Sequence, residues 1–132
     1  MPDGIDLDLT DVLKLAADLG EIPDDAQKFI RKAVEVTARH VRDDWRDPLK
    51  GSEYLPGGAY TVSYDFKPDP TGIAAEVGPE LRGQGPLVGM LEYGTPTVGA
   101  RGYGAAALER NQGDFEKGLS LAVEDAQKKA GL

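Results

Sequence analysis

One run of the chain limits its fold more than any other. From Ala26 to Trp45 the apolar positions Ala26, Phe29, Ile30, Ala33, Val34, Thr37, Val41 and Trp45 recur at spacings of three and four. That is the 3.6-residue period of a helix carrying a wide apolar stripe. Arg31, Lys32, Glu35, Arg39, Arg42, Asp43 and Arg46 fall largely off the stripe. Pro23 suits the first helical position, and Asp24 and Asp25 suit the positive end of the dipole. Asp47-Pro48 ends the run. The spacing predicts a helix of about 25 residues, roughly 37 Å long. A stripe this wide needs an apolar surface to lie on.

The surface follows in the sequence. Tyr60, Val62, Tyr64 and Phe66 alternate with Thr61, Ser63 and Asp65, a period of two. The turn residues Lys67 to Gly72 come next, and then Ile73, Ala75 and Val77 alternate with Ala74 and Glu76. These runs predict an antiparallel hairpin over about 59–66 and 73–78 with one apolar face for the long helix. Three further elements are expected. Thr10 as a cap and Gly20 as a stop bracket a short helix over about 11–19. Pro86 opens a short helix near Leu87, Met90 and Leu91, with a strand as the alternative. From Ala105 a C-terminal helix carries Leu108, Phe115, Leu119, Ala122 and Ala126, weakened at Gly113 and Gly118 by about 1 kcal/mol each. The reading is α+β: a long N-terminal helix and a C-terminal helix on a small antiparallel sheet. It is a single domain over residues 1–132, with an acidic arm and short helix at 1–22.

Composition narrows the chemistry. The chain of 132 residues has no cysteine and one histidine, His40. Thiol catalysis, disulfides and Cys- or His-pair metal sites are excluded. Residues 1–25 hold eight acids and one base, whereas residues 26–132 hold 15 acids and 14 bases. The net charge of −8 lacks a basic stripe, which argues against nucleic-acid binding. The acidic arm reads either as a solvated face or as a segment that docks on a basic partner. No apolar run approaches a membrane span, and the start of the chain lacks the pattern of a secretory signal.

The stretch LEYGTPTVGARGYGAAALERN, residues 91–111, is the one place that looks like a ligand loop. Gly102, Gly104 and Ala107 fit a G-x-G-x-x-A dinucleotide fingerprint. The preceding TPTVGAR is not a buried strand and no later parallel strand exists, so the fingerprint fails on context. Ser52, Ser63 and Ser120 lack a nucleophile-elbow setting, and His40 lies in mid-helix. Neighbouring acids such as Asp24 and Asp25 diverge by about 100° on a helix and do not converge. Asp3, Asp6 and Asp8 lack the spacing of a calcium loop. No catalytic residue, cofactor or metal site emerges, and a binding or structural role is left.

The order of elements and two motifs carry a resemblance. Leu91-Glu92-Tyr93-Gly94-Thr95 and the small-residue helix start from Gly104 to Asn111 resemble the small tail-component family of long-tailed phages, which includes lambda-type minor tail protein Z. The likeness spans about residues 22–130. Where many members carry an Asp-Thr-Gly element, this chain reads EYLPGGAY. The resemblance implies a non-catalytic virion protein at the head–tail junction, made in the host cytoplasm. It implies a homo-oligomeric ring, with a hexamer expected, beside stopper or connector and tail terminator or tail tube proteins. DNA would pass through an acidic lumen without specific binding, and no membrane is involved. Glu92, Tyr93, Gly94, Thr95, Arg101 and Tyr103 are the candidate contacts. For Glu92 and Tyr93 the reading is loop geometry or a subunit contact, against Glu92 capping a nearby backbone group and Tyr93 packing in the core; for Arg101 the alternative is a solvated loop charge. A stand-alone soluble adaptor or regulatory module with this fold is the alternative.

Overall fold

A computed structural model describes residues 13–18, 27–67, 72–97 and 99–129. The architecture is α+β. Strand β1 (Leu13–Asp18) is followed by helix α1 (Gln27–Arg46), strands β2 (Val62–Lys67) and β3 (Gly72–Pro79), and helices α2 (Gly85–Tyr93) and α3 (Tyr103–Lys129). The sheet is antiparallel throughout, in the order β1-β3-β2. Val77 of the central strand lies between Leu13 and Tyr64, and Ala75 lies between Leu15 and Phe66. The hairpin is where the alternation placed it.

The N-terminal expectation needs correcting. Residues 13–18 form a strand, not the core of a short helix over 11–19. LKLAAD can be read at either period, and a helix of nine residues is marginal alone. Pairing with the open edge of β3 aligns six residues and satisfies the backbone groups that face it, which no local signal could announce. The rest of the acidic arm, and the start expected for α1 near Pro23, lie outside the described residues.

α1 delivers the expected stripe. Ile30, Val34, Val41 and Trp45 are fully buried, and each contributes about 1.5–3 kcal/mol by leaving water. They meet Val62, Ala75 and Val77 of the sheet in one core. α1 stops at Arg46 and a single 3-10 turn, Asp47–Leu49, follows with Pro48 inside it. The Arg46 Nε donates to the Val62 carbonyl at 2.8 Å, tying the end of α1 to the start of β2. Tyr60 is a second correction. It lies in a 3-10 turn, Ala59–Thr61, and stays exposed instead of opening the strand.

α3 is longer than its two mid-helix glycines suggested and runs unbroken to Lys129. Its buried positions are Gly104, Ala107, Asn111, Ala122 and Ala126, a stripe of small residues pressed on α1. At one end a methyl group on Gly104 would lie only 2.7 Å from three carbons of the Trp45 ring. The absence of a side chain there lets the two helices touch.

Candidate functional site

The glycine-rich stretch becomes a loop pinned at both ends. α2 is capped at its C-terminus by Gly94, whose N–H donates to the Met90 carbonyl at 2.7 Å. Arg101 and Gly102 return to the same helix end: their N–H groups donate to the carbonyls of Leu91 and Glu92 at 2.9 and 3.1 Å. These bonds satisfy carbonyls that a helix terminus would otherwise leave unpaired. Gly94 and Gly102, where the chain turns out and back, have φ of 80° and 63°. That left-handed region favours glycine at both hinges.

Glu92 closes the structure from inside. It is only 3% exposed, and its two carboxylate oxygens accept from the N–H groups of Gly104 at 2.7 Å and Ala105 at 3.1 Å. A buried carboxylate from the last turn of α2 therefore caps the first turn of α3. The capped end is positive in the helix dipole, which favours a negative group there. Burial raises the Glu92 pKa above the usual carboxylate range, while hydrogen bonds from the backbone of Gly104, Ala105 and Tyr103 pull it back. Of the roles weighed for Glu92, the structure shows the capping of a backbone group, here the start of α3.

The other candidates are spread around this keystone. Gly94 is the outward hinge. Tyr93 and Thr95 are half-buried, and the Thr95 Oγ1 accepts from the Thr97 N–H at 3.3 Å. Tyr103 opens α3 and packs on the core. Pro96, Thr97, Gly99, Ala100 and Arg101 are exposed. The site thus divides into an internal frame, made by Glu92, Gly94 and Tyr103, and an outer rim ending at Arg101.

Two features escaped the sequence reading. Leu87 and Met90 of α2 are exposed, as are Tyr54, Tyr60 and Leu81. The short apolar run from Leu87 to Leu91 could have signalled a helix with more apolar surface than its interior can use. The second is Asn111, which is buried and donates to the Asp44 carboxylate and the Ala107 carbonyl, both at 2.8 Å. His40 is exposed on α1. Among the described residues no group of three His, Cys, Asp or Glu side chains is arranged to hold a metal ion. Among them, too, no helix is long and apolar enough to cross a membrane. The chain matches no family model, no curated protein and no solved structure.

Proposed function

We propose that this protein is a structural component of a phage head–tail junction, one subunit of a ring that joins the tail to the DNA-filled head. It acts by assembly and not by catalysis. One observation carries the reading. The segment Leu91–Thr95, on which the family resemblance rests, holds the carboxylate that fixes a pinned, outward-facing loop. A loop held in shape before contact loses little entropy on docking, which suits assembly from identical subunits. The exposed Leu87 and Met90 on the adjoining helix add apolar surface beside it. A net charge of −8 per chain suits a ring whose lumen lets DNA slide. Six subunits are the expected number, with a stopper or connector on one side and a terminator or tail tube on the other.

Mass spectrometry of purified particles is the direct test, and it should find this chain in the virion. Its absence there would sink the proposal in favour of a stand-alone adaptor. Arg101→Ala should lower phage titre by blocking head–tail joining while the melting temperature is unchanged. An unchanged titre removes the rim from the contact surface.

A further inference from the structure

β2 is an edge strand with one side open. In the order β1-β3-β2 it pairs with β3 alone. Two bonds fix which of its backbone groups face outward. The Glu80 N–H donates to the Thr61 carbonyl at 2.8 Å, so Ser63, Asp65 and Lys67, in step with Thr61, turn their backbone groups to β3. On the other parity the Val62 carbonyl accepts from the Arg46 Nε at 2.8 Å, and the Val62 N–H donates to the Ala59 carbonyl. Tyr64 and Phe66 share that parity and turn two N–H and two C=O groups to the open edge. Among the described residues nothing bonds them there. Sheets blunt such edges with prolines or bulges. β2 has neither: it reads VSYDFK and pairs one to one with β3 along its six residues. Its two charges, Asp65 and Lys67, pair with each other at 3.5 Å.

A row of guanidinium groups runs beside this edge. Arg31, Glu35, Arg39, Arg42 and Arg46 follow at steps of three and four, which is one face of α1. The Arg31 guanidinium lies 3.8 Å from the centre of the Phe66 ring, and that of Arg42 lies 5.3 Å from the centre of the Tyr64 ring. The Tyr64 hydroxyl donates to Glu35 at 3.2 Å, and Arg46 holds Val62. From Arg31 to Arg46 the row is roughly 22 Å long, against about 20 Å for a strand of six residues. It sets four cations against the carboxylates of Glu35 and Asp43, in a chain whose net charge is −8. Burial lowers the Arg46 pKa below its ordinary value, and Arg42 beside it lowers it further. Like charges are thus crowded where the open edge begins.

We propose that the free edge of β2 takes up an extended acidic segment of a partner protein as a fourth strand. The segment's backbone pairs with Tyr64 and Phe66. Its acids, at alternate positions, turn to the α1 side and meet Arg31 and Arg42. Backbone pairing supplies the affinity, and the arginine row selects the sign of charge. The edge is complete in a single chain and needs no ring.

The probe is a blocked heptapeptide of alternating valine and glutamate, titrated into the full-length protein and followed by amide NMR. At saturation, exchange of the Tyr64 and Phe66 amides should slow about tenfold or more, while Ser63 and Asp65, already turned to β3, stay unchanged. The same peptide with lysine for glutamate should bind about tenfold more weakly, the scale of two exposed ion pairs. Arg31→Glu with Arg42→Glu should reverse that preference. The glutamate peptide N-methylated at alternate residues keeps its charge but cannot pair, and it should slow neither amide. Equal binding by the N-methylated peptide means that the arginines attract any anion, and overturns the added strand. Equal binding by the lysine peptide overturns the acidic partner. Slowed exchange away from Tyr64 and Phe66, or no binding at millimolar peptide, overturns both. Should the double variant fail to fold, the three peptides on the wild-type chain decide alone.

Discussion

The two ends of the α1–α3 pair are built on opposite plans. At the Trp45 end α3 presents Gly104, Ala107 and Asn111, and the helices close until the indole rests on bare backbone. Asn111 bridges to Asp44, and Glu92 seals the first turn of α3 from below. At the Phe29 end the same two helices leave a groove, with Leu121 exposed and Gly118 clear of any neighbour. The closed end is specified by small residues and buried polar pairs, and the open end by apolar side chains that the other described residues leave partly uncovered. Rigidity is concentrated beside the pinned loop, and unfilled surface lies at the far end.

The closed end should be the easier to break. Gly104→Ala brings a methyl to 2.7 Å from the Trp45 ring, well inside carbon–carbon contact, and the indole is fully buried. A loss of about 2 kcal/mol is expected for alanine and about 3 kcal/mol or more for Gly104→Val. Urea denaturation of both variants checks this. If alanine costs nothing, the helices can part at this end and the contrast with the open end dissolves.

Glu92 should come next. Glu92→Ala leaves two N–H groups at the start of α3 without their carboxylate, at a cost of about 2 kcal/mol. The raised pKa adds a pH signature. The folded state holds the proton more tightly than the unfolded chain, so this stabilising term is fully present below the unfolded carboxylate pKa. It is lost as pH rises through the raised folded value. Glu92→Gln does not titrate and should lack this slope. The difference in unfolding free energy between wild type and Glu92→Gln should therefore be larger in mild acid than at neutral pH. A difference flat across that range would mean Glu92 is not the buried group described.

Asn111→Ala removes the bridge to Asp44 and should cost about 1–2 kcal/mol, measured by the same denaturation curves. Combined with Asp44→Ala it should cost less than the sum of the two, since both remove one interaction. Full additivity would show that the bridge does not hold the closed end together.

What the sequence disclosed follows the range of each signal. α1 and the hairpin were legible because Val34, Val41 and Trp45, or Val62, Tyr64 and Phe66, repeat at the period of their own element. β1 was not, because its partner β3 lies some sixty residues on and Leu13 to Asp18 fit either period. Within the candidate site, the turn at Gly94 and the start of α3 were readable as glycine placement. A capping role for Glu92 was legible as one reading, but its partners Gly104 and Ala105 were not, since the bonds join two elements across a loop and depend on that loop folding back. The groove left one trace, the unusual width of the α1 stripe, where Phe29 and Ala33 belong to a side the sheet does not cover.

The smallest expected effect has the opposite sign and tests the contrast within a single helix. Gly113 lies in the middle of α3, and a methyl there would meet nothing within 4 Å. Gly113→Ala gains helix propensity without contact cost and should stabilise the domain by about 0.5–1 kcal/mol. The same substitution nine residues earlier, at Gly104, should destabilise it. Intrinsic propensity is identical at the two positions, so the difference of about 3 kcal/mol between them isolates the packing against Trp45. If both alanines stabilise, propensity governs the whole of α3 and the closed end is no tighter than the open one. If both destabilise, Gly113 is itself a contact site, and the face of α3 that carries it is covered.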